Sequence, residues 1–347
     1  MTAQILLSQE AGERLRLIQA GSFSREEVSG QVVQKLVGNV KLRQGKTTIL
    51  CDVATQSLSR KQYMLVGHVK IFDDEQTLLA DTVFIFEKEE KQVASGNVVN
   101  ITPTDTTMAD RMTYFQRQRK LFSERHVRIA NKKEQMALTG SFAEYWRDDR
   151  YGKVWGSPVL INYDSLGNET SRIVADTMKI FENGDRTLAI GSVEMTQPEI
   201  TATSGRAEFS KVDDLVTLLE NPEVRQPNYT IRGDTVHLFL KGSELKRATV
   251  SGHALAVSDA DTLNKGRWQN KLTGQQMTFY FEDKKLRRVI IDNQATSFYH
   301  IIEDDSYKGA NELSGDRIEI ELSDGRAQRV WVSSHPDVAE GKYLPPK

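Results

Sequence analysis

The chain has one cysteine, Cys51, in 347 residues. A single thiol can form neither an internal disulfide nor a cysteine-based zinc site. There is no excess of charge either: 46 basic against 48 acidic residues leave a formal net charge of −2. That balance excludes bulk electrostatic capture of nucleic acid, which needs a basic footprint. No apolar run exceeds about five residues, whereas a membrane-spanning helix needs roughly twenty. A Gly-x-Ser-x-Gly elbow, a His-Glu-x-x-His pair and a glycine-rich phosphate loop are all missing, so neither a catalytic centre nor a cofactor is expected. Proline is scarce, with 8 residues against 23 glycines. What is present is 38% hydrophobic and 27% charged, enough for one or two cores. The glycines are not clustered. They are spaced.

Gly38-Asn39-Val40-Lys41-Leu42 recurs as Gly67-His68-Val69-Lys70-Ile71 and as Gly96-Asn97-Val98-Val99. A fourth copy, Arg125-His126-Val127-Arg128-Ile129, lacks the glycine, and the valines at 40, 69, 98 and 127 are 29 residues apart. A second signal follows each of the first three valines: Cys51-Asp52, Ala80-Asp81 and Ala109-Asp110. Degraded copies run from Val159 to Ala175-Asp176, Val193 to Ser204-Gly205, Val224 to Gly233-Asp234, Ala254 to Thr273-Gly274 and Ala295 to Gly315-Asp316. About nine copies cover residues 36 to 332, and a periodic array of this kind determines the fold.

Each copy reads as β. Apolar and polar residues alternate, as in Val40/Leu42, Val69/Ile71, Thr82/Phe84/Phe86 and Val236/Leu238/Leu240. Turn pairs such as Gln44-Gly45, Asp73-Asp74, Asn183-Gly184 and Asp324-Gly325 punctuate the strands. Pro103, Pro158, Pro198, Pro222 and Pro227 fall at expected strand ends or edges, where a missing N–H does least harm. Helix signal is thin: residues 8–19 suit a short helix or a first strand equally. Two strands per copy give roughly twenty strands. The step of 29 residues is short for a propeller blade and leaves no room for crossover helices. Two-residue hairpin turns favour antiparallel pairing, hence a folded-over sheet pair over a parallel β-helix.

The run Gly-Asn-Val-Lys-Leu, then Gln44-Gly45, then Ile49 through Asp52, resembles the organic-solvent-tolerance (OstA-like) family, which includes periplasmic lipopolysaccharide-transport proteins of Gram-negative bacteria. The same pattern stands at Gly67 to Phe86, and the resemblance covers about residues 30 to 335. Copies five to nine depart by insertion and by glycine replacing aspartate, so the family's strand count does not transfer. The resemblance implies an all-β fold: an elongated open β-jelly roll, a twisted V-shaped sheet pair built from about nine two-strand repeats. It places a lead-in over 1–30, the array over 31–335 and an irregular tail over 336–347. It further implies a non-enzymatic role in outer-membrane biogenesis. Acyl chains of lipopolysaccharide or a related glycolipid would lie in an apolar groove. Partners would be related β-jelly-roll domains of inner- and outer-membrane components, or head-to-tail copies of this chain.

The groove positions implied by the resemblance are Val40, Leu42, Ile49, Val69, Ile71, Leu78, Val98 and Val127, with Phe84, Phe86 and Ile129 beside them. The same positions suit a closed, dry core equally well. Residues 111–133 hold eight basic side chains against Glu124 alone. A solvated strand face explains them most simply; a phosphate-rich head group bound by Arg117, Arg119, Lys120, Arg125 and Arg128 is the sharper reading. His68, His126 and His253 share one register with Asn39 and Asn97, which marks a left-handed turn position and not a metal site. Asp52, Asp81, Asp110, Asp176, Asp234 and Asp316 are too sparse for calcium-binding repeats and are expected to bond local backbone at a corner. Cys51 takes the place of Ala80 and Ala109, so it reads as a small core residue.

Ile5-Leu6-Leu7 is too short for a signal-peptide core, whereas Ala3-Gln4 suits a mature start after cleavage, so the resemblance places the chain in the periplasm. Two other classes of function stand beside the lipid carrier. One is a structural or adhesive β-solenoid without lipid. The other is a carbohydrate-active solenoid using paired carboxylates such as Asp148-Asp149 or Asp304-Asp305.

Overall fold

A computed structural model describes residues 15–28, 30–242, 244–260, 266–303, 306–323, 326–336 and 338–346. Residues 8–14 of the ambiguous first segment, the proposed mature start at Ala3-Gln4 and the pairs Asp304-Asp305 and Asp324-Gly325 lie outside them. Among the described residues, twenty-six strands and one 3-10 turn, Glu182–Gly184, make up the regular structure, and the strand pairings are antiparallel. Six pairs of short strands flank a break at a corner, so the strands amount to twenty passes of the chain. This is the all-β, antiparallel architecture that the repeat and its turns imply, and it is consistent with the jelly roll that the resemblance implies. All eight prolines fall outside the strands, six between them and Pro345 and Pro346 after the last.

The chain divides into two compact units, Met1–Arg172 with Asp176–Gly184, and Ile173–Ala175 with Asp185–Lys347, where a single array over 31–335 was expected. In the first unit, β1 (Arg16–Gln19) and β2 (Ser22–Val28) both pair with β3 (Gln31–Gln44), so the expected lead-in already belongs to the sheet. A meander follows: β4 (Thr47–Ser57), β5 (Gln62–Phe72), β6 (Thr77–Phe86), β7 (Lys91–Ile101), β8 (Asp105–Phe115), β9 (Lys120–Asn131) and β10 (Met136–Trp146). β10 pairs with both β11 (Tyr151–Trp155) and β12 (Val159–Tyr163). In the second unit, Glu340–Leu344 pairs with Ser306–Ser323, so the expected irregular tail is also a strand.

Every long strand of the meander bends in its middle, and the repeat motif is the bend. Gly67 and His68 of β5 together face Asp81 alone on β6, because Val66 pairs with Thr82 and Val69 with Ala80. The extra residue is a β-bulge, and both of its residues are left-handed, with φ of 79° and 44°. Asp52 of β4 closes the corner by meeting the His68 Nδ1 at 2.8 Å. Asn97 donates to Asp81 at 2.9 Å, and His126 and His253 meet Asp110 and Asp234 at 3.0 Å in the same way. Asp52, Asp81, Asp110 and Asp234 therefore bond a side chain on the next strand, not the local backbone, because the bulge presents that side chain to them, whereas Asp316 accepts from the backbone N–H of His335 at 2.8 Å. Where the fourth copy lacks glycine, Arg125 itself adopts φ of 61° and its Nε lies 3.7 Å from Asp110. Among the described residues nine left-handed pairs recur at corners, from Gly38-Asn39 to Asn293-Gln294, apart from those in the hairpin turns at 182–184 and 283–284.

Glycine at the bulge answers two demands. A β-carbon at Gly67 would stand 2.2 Å from Asp52 Oδ2, and one at Gly96 would stand 2.3 Å from Asp81 Oδ2. The left-handed φ adds a steric cost of its own for any side chain.

The bends fold the sheet of the first unit into two arms that share an inner face. One arm holds Val40, Leu42, Ile49, Val69, Ile71 and Leu78; the other holds Leu65, Val83, Ala94, Met112 and Val154, and all are buried. The second unit repeats the scheme, with bulges between Ile190 and Val193, Ser251 and Ala254, and Asp292 and Ala295. Its core is built from Val193, Leu218, Val236, Val250, Met277, Phe279, Ile291 and Ile318.

Two measurements check the corner. Gly67→Ala is expected to destabilise the fold by about 1–3 kcal/mol in urea unfolding. Gly167→Ala, at φ of 86° but with nothing within 4 Å, is expected to cost less, on the order of 1 kcal/mol. The hydrogen bond to Asp52 and its charge hold His68 above its ordinary pKa of 6.5. The folded state therefore binds that proton more tightly than the unfolded state. The resulting stabilisation is fully present below the unfolded pKa and is lost as pH rises through the folded one. An NMR titration should find His68 raised in the native chain and returned towards 6.5 by Asp52→Asn.

Candidate functional site

Cross-strand register places the inner residues of the first unit in rows. Leu42 pairs with Ile49, Ile49 with Ile71, Ile71 with Leu78, Leu78 with Asn100, and Thr107 with Ile129. Asn100 and Thr107 are themselves a pair, and Ile129 faces Leu138. Nine of the eleven expected groove residues lie on this face. Val40, Leu42, Ile49, Val69, Ile71, Leu78, Val98, Val127 and Ile129 are each no more than 5% exposed.

Phe84 and Phe86 are placed differently. Leu78 and Ala80 are buried before the corner, and Val83 is buried after it. The alternation therefore slips by one residue at Asp81-Thr82, and the two phenylalanines take the outer face. There they stack at 6.2 Å with the Lys91 ammonium over the Phe86 ring. Period two continued through a corner assigns the wrong face.

The arms of this unit close on each other. Thr107 and Ile129 of one arm line a partly open cavity of about 20 Å³ with Leu121, Ser123, Ala143, Tyr145 and Val154 of the other. That is room for one water and not for an acyl chain. Each fully buried leucine or isoleucine on this face contributes about 1.5–3 kcal/mol relative to exposure. A chain entering here would have to replace those contacts.

The inner face also contains a polar break. Gln76, Gln92 and Asn100 are buried, and their side-chain carbonyl oxygens have no hydrogen-bond partner. A buried unsatisfied acceptor costs about 1–3 kcal/mol. Tyr114 and Tyr145 flank the region, and burial pushes both phenols above their ordinary range. These residues were not among the sequence candidates, although a signal existed. Asn100 stands two residues after its anchoring valine, where the first, second and fourth copies have Leu42, Ile71 and Ile129.

The five candidate head-group cations do not come together. Arg117 makes a two-pronged pair with Glu90 at 3.1 and 3.2 Å, and Arg119 meets Asp148 at 3.2 Å. Lys120 binds Glu144 at 2.9 Å while lying over the Phe115 and Trp146 rings. Arg125 is held at the Asp110 corner, and Arg128 is exposed on the outer face opposite Met108 and Thr139. Exposed pairs of this kind add little stability but do satisfy the charges. The outer face beside them carries a second feature that sequence reasoning missed, a stack of Phe122, Phe142 and Trp155 at 5.5 to 6.4 Å. His68, His126 and His253 are exposed corner residues, and among the described residues no three His, Cys, Asp or Glu side chains gather as metal ligands.

Cys51 lies on the inner face at 4% exposure, and burial, aided by the Asp52 charge, pushes its thiol up to about 11. Because the thiolate is the reactive form, native protein at pH 8 should react with a thiol-specific disulfide reagent only slowly. Addition of denaturant should release one rapidly reacting thiol. Fast labelling of the native chain would contradict this burial.

No protein-family model matches the chain, and no curated protein does. No helix among the described residues is long and apolar enough to cross a membrane. Among solved structures the chain is similar to LptH, the LptA-homologous periplasmic component of the conserved lipopolysaccharide transport device from Pseudomonas aeruginosa. The match is 15% identical with a TM-score of 0.32 and covers 43% of this chain and 95% of that chain.

Proposed function

We propose that the chain is a non-enzymatic lipid carrier of the periplasm that holds acyl chains between the arms of its folded sheet. The observation that supports this most is the repeated register of the inner face. The residue after the bulge and the one two further on are apolar in the first, second and fourth copies, Val40/Leu42, Val69/Ile71 and Val127/Ile129. Each methylene covered contributes about 0.8 kcal/mol, so a twelve-carbon chain gains roughly 10 kcal/mol over exposure to water. Lipopolysaccharide or a related glycolipid is the cargo that the OstA-like resemblance suggests. Contact is assigned to its acyl chains and not its head group, because carboxylates already engage four of the five candidate cations. Open strand edges suit end-to-end pairing with related β-jelly rolls or with further copies, and nothing in the composition supports a nucleic-acid partner. The chain has no nucleotide-binding motif, so the driving energy for transport comes from partners.

A second reading, a structural or adhesive module without cargo, is favoured by the closed inner face and its small cavity. Native mass spectrometry of protein purified from a Gram-negative host separates the two. The carrier is expected to retain lipid adducts and to photocrosslink to added lipopolysaccharide from position 71 but not from position 84, which faces outward. Absence of both adducts and crosslinks would establish the module.

A further inference from the structure

We infer that the inner face of the first unit carries a polar station that reads a hydrogen-bond donor, a hydroxyl or an amide N–H, on the acyl chain; this inference rests on the carrier reading above. Asn100 is 1% exposed and Gln92 is 4% exposed, and the carbonyl oxygen of each lacks a donor. They stand at opposite ends of β7, on either side of its corner at Gly96-Asn97, and so on the two facing arms. An occupant lying between the arms therefore has one of them on each side.

Their surroundings point to the same place. Thr107, the cross-strand partner of Asn100, lines the cavity with Ser123 of the other arm, and the Gln92 row continues through Tyr114 to Leu121, which also lines it. A purely structural core gains nothing from this arrangement. The second unit builds the equivalent face with only Ser204 and Ser297 as buried polar residues among those described. At the equivalent position, three other copies of the repeat supply leucine or isoleucine where the third supplies Asn100.

The chemistry selects the ligand. A carbonyl oxygen only accepts hydrogen bonds, so the missing groups are donors. An unsubstituted acyl chain offers none. A chain carrying a hydroxyl or an N–H offers one, and it is held more firmly in a low-dielectric interior than in water. Asn100 and Gln92 each stand one residue from an end of β7, which places the station at the mouth of the arms and the donor near the head of the chain.

The test is titration calorimetry of the full chain with tetradecanoate and with 3-hydroxytetradecanoate. The hydroxylated acid is expected to bind about three- to tenfold more tightly, the span of one neutral hydrogen bond. In Gln92→Leu/Asn100→Leu that preference should vanish. The urea midpoint should not fall, because two unpaired acceptors have gone. Should the double variant fail to fold, Asn100→Val alone carries the same comparison. Equal affinity of the native chain for both acids would overturn the station while leaving the carrier intact. Failure of both acids to bind would overturn the carrier and the station together.

Discussion

The corner is the constraint on which the rest of the structure depends. A strand of eleven residues cannot bend back over its own sheet without an extra residue, and the bulge supplies it in a left-handed pair. Glycine makes room for the aspartate of the preceding strand, and His68 or Asn97 reaches back to hold that carboxylate. Once the corners stack in register, each strand contributes one half to each arm. The apolar residues on both sides of the bend then fall on a common inner face. The repeat seen along the chain is therefore a repeat of corners, and the hydrophobic stripe is its consequence.

That geometry also explains why one set of side chains reads both as core and as groove. Two arms joined only along their corners meet through side-chain contact and not through backbone hydrogen bonds. Closing them gives a dry core in which Ile49, Ile71 and Leu78 lose essentially all exposure to water. Parting them gives an apolar trough with the same walls. The unpaired acceptors of Gln76, Gln92 and Asn100 weaken the closed form, since water or a ligand donor satisfies them when the arms open.

Much of this was legible in the chain before any coordinates. The spacing of Val40, Val69, Val98 and Val127 marked the repeat, and the shared register of Asn39, His68, Asn97 and His126 identified a left-handed position, as φ values of 44° to 47° now show. Period-two alternation failed where the physics changes. At Asp81-Thr82 the bend shifts the pattern by one, which sent Phe84 and Phe86 outward. Cation pairing was out of reach for a different reason: Glu90 is 27 residues from Arg117, and only the strand register brings them together. Asn100 was readable as a polar residue at an apolar position, but its significance depends on burial and on a missing donor, which only the folded structure supplies.

The central claim is that the two arms part to admit an acyl chain. Spin labels at Lys46→Cys and Arg60→Cys, in a Cys51→Ala background, mark the hairpin tips at the two ends of β4, one on each arm. Pulsed electron–electron double resonance would report the distance between them with and without added lipopolysaccharide. The carrier account predicts a longer distance in the lipid-bound chain, with the lipid-free value restored after extraction. An unchanged distance at saturating lipid would contradict it.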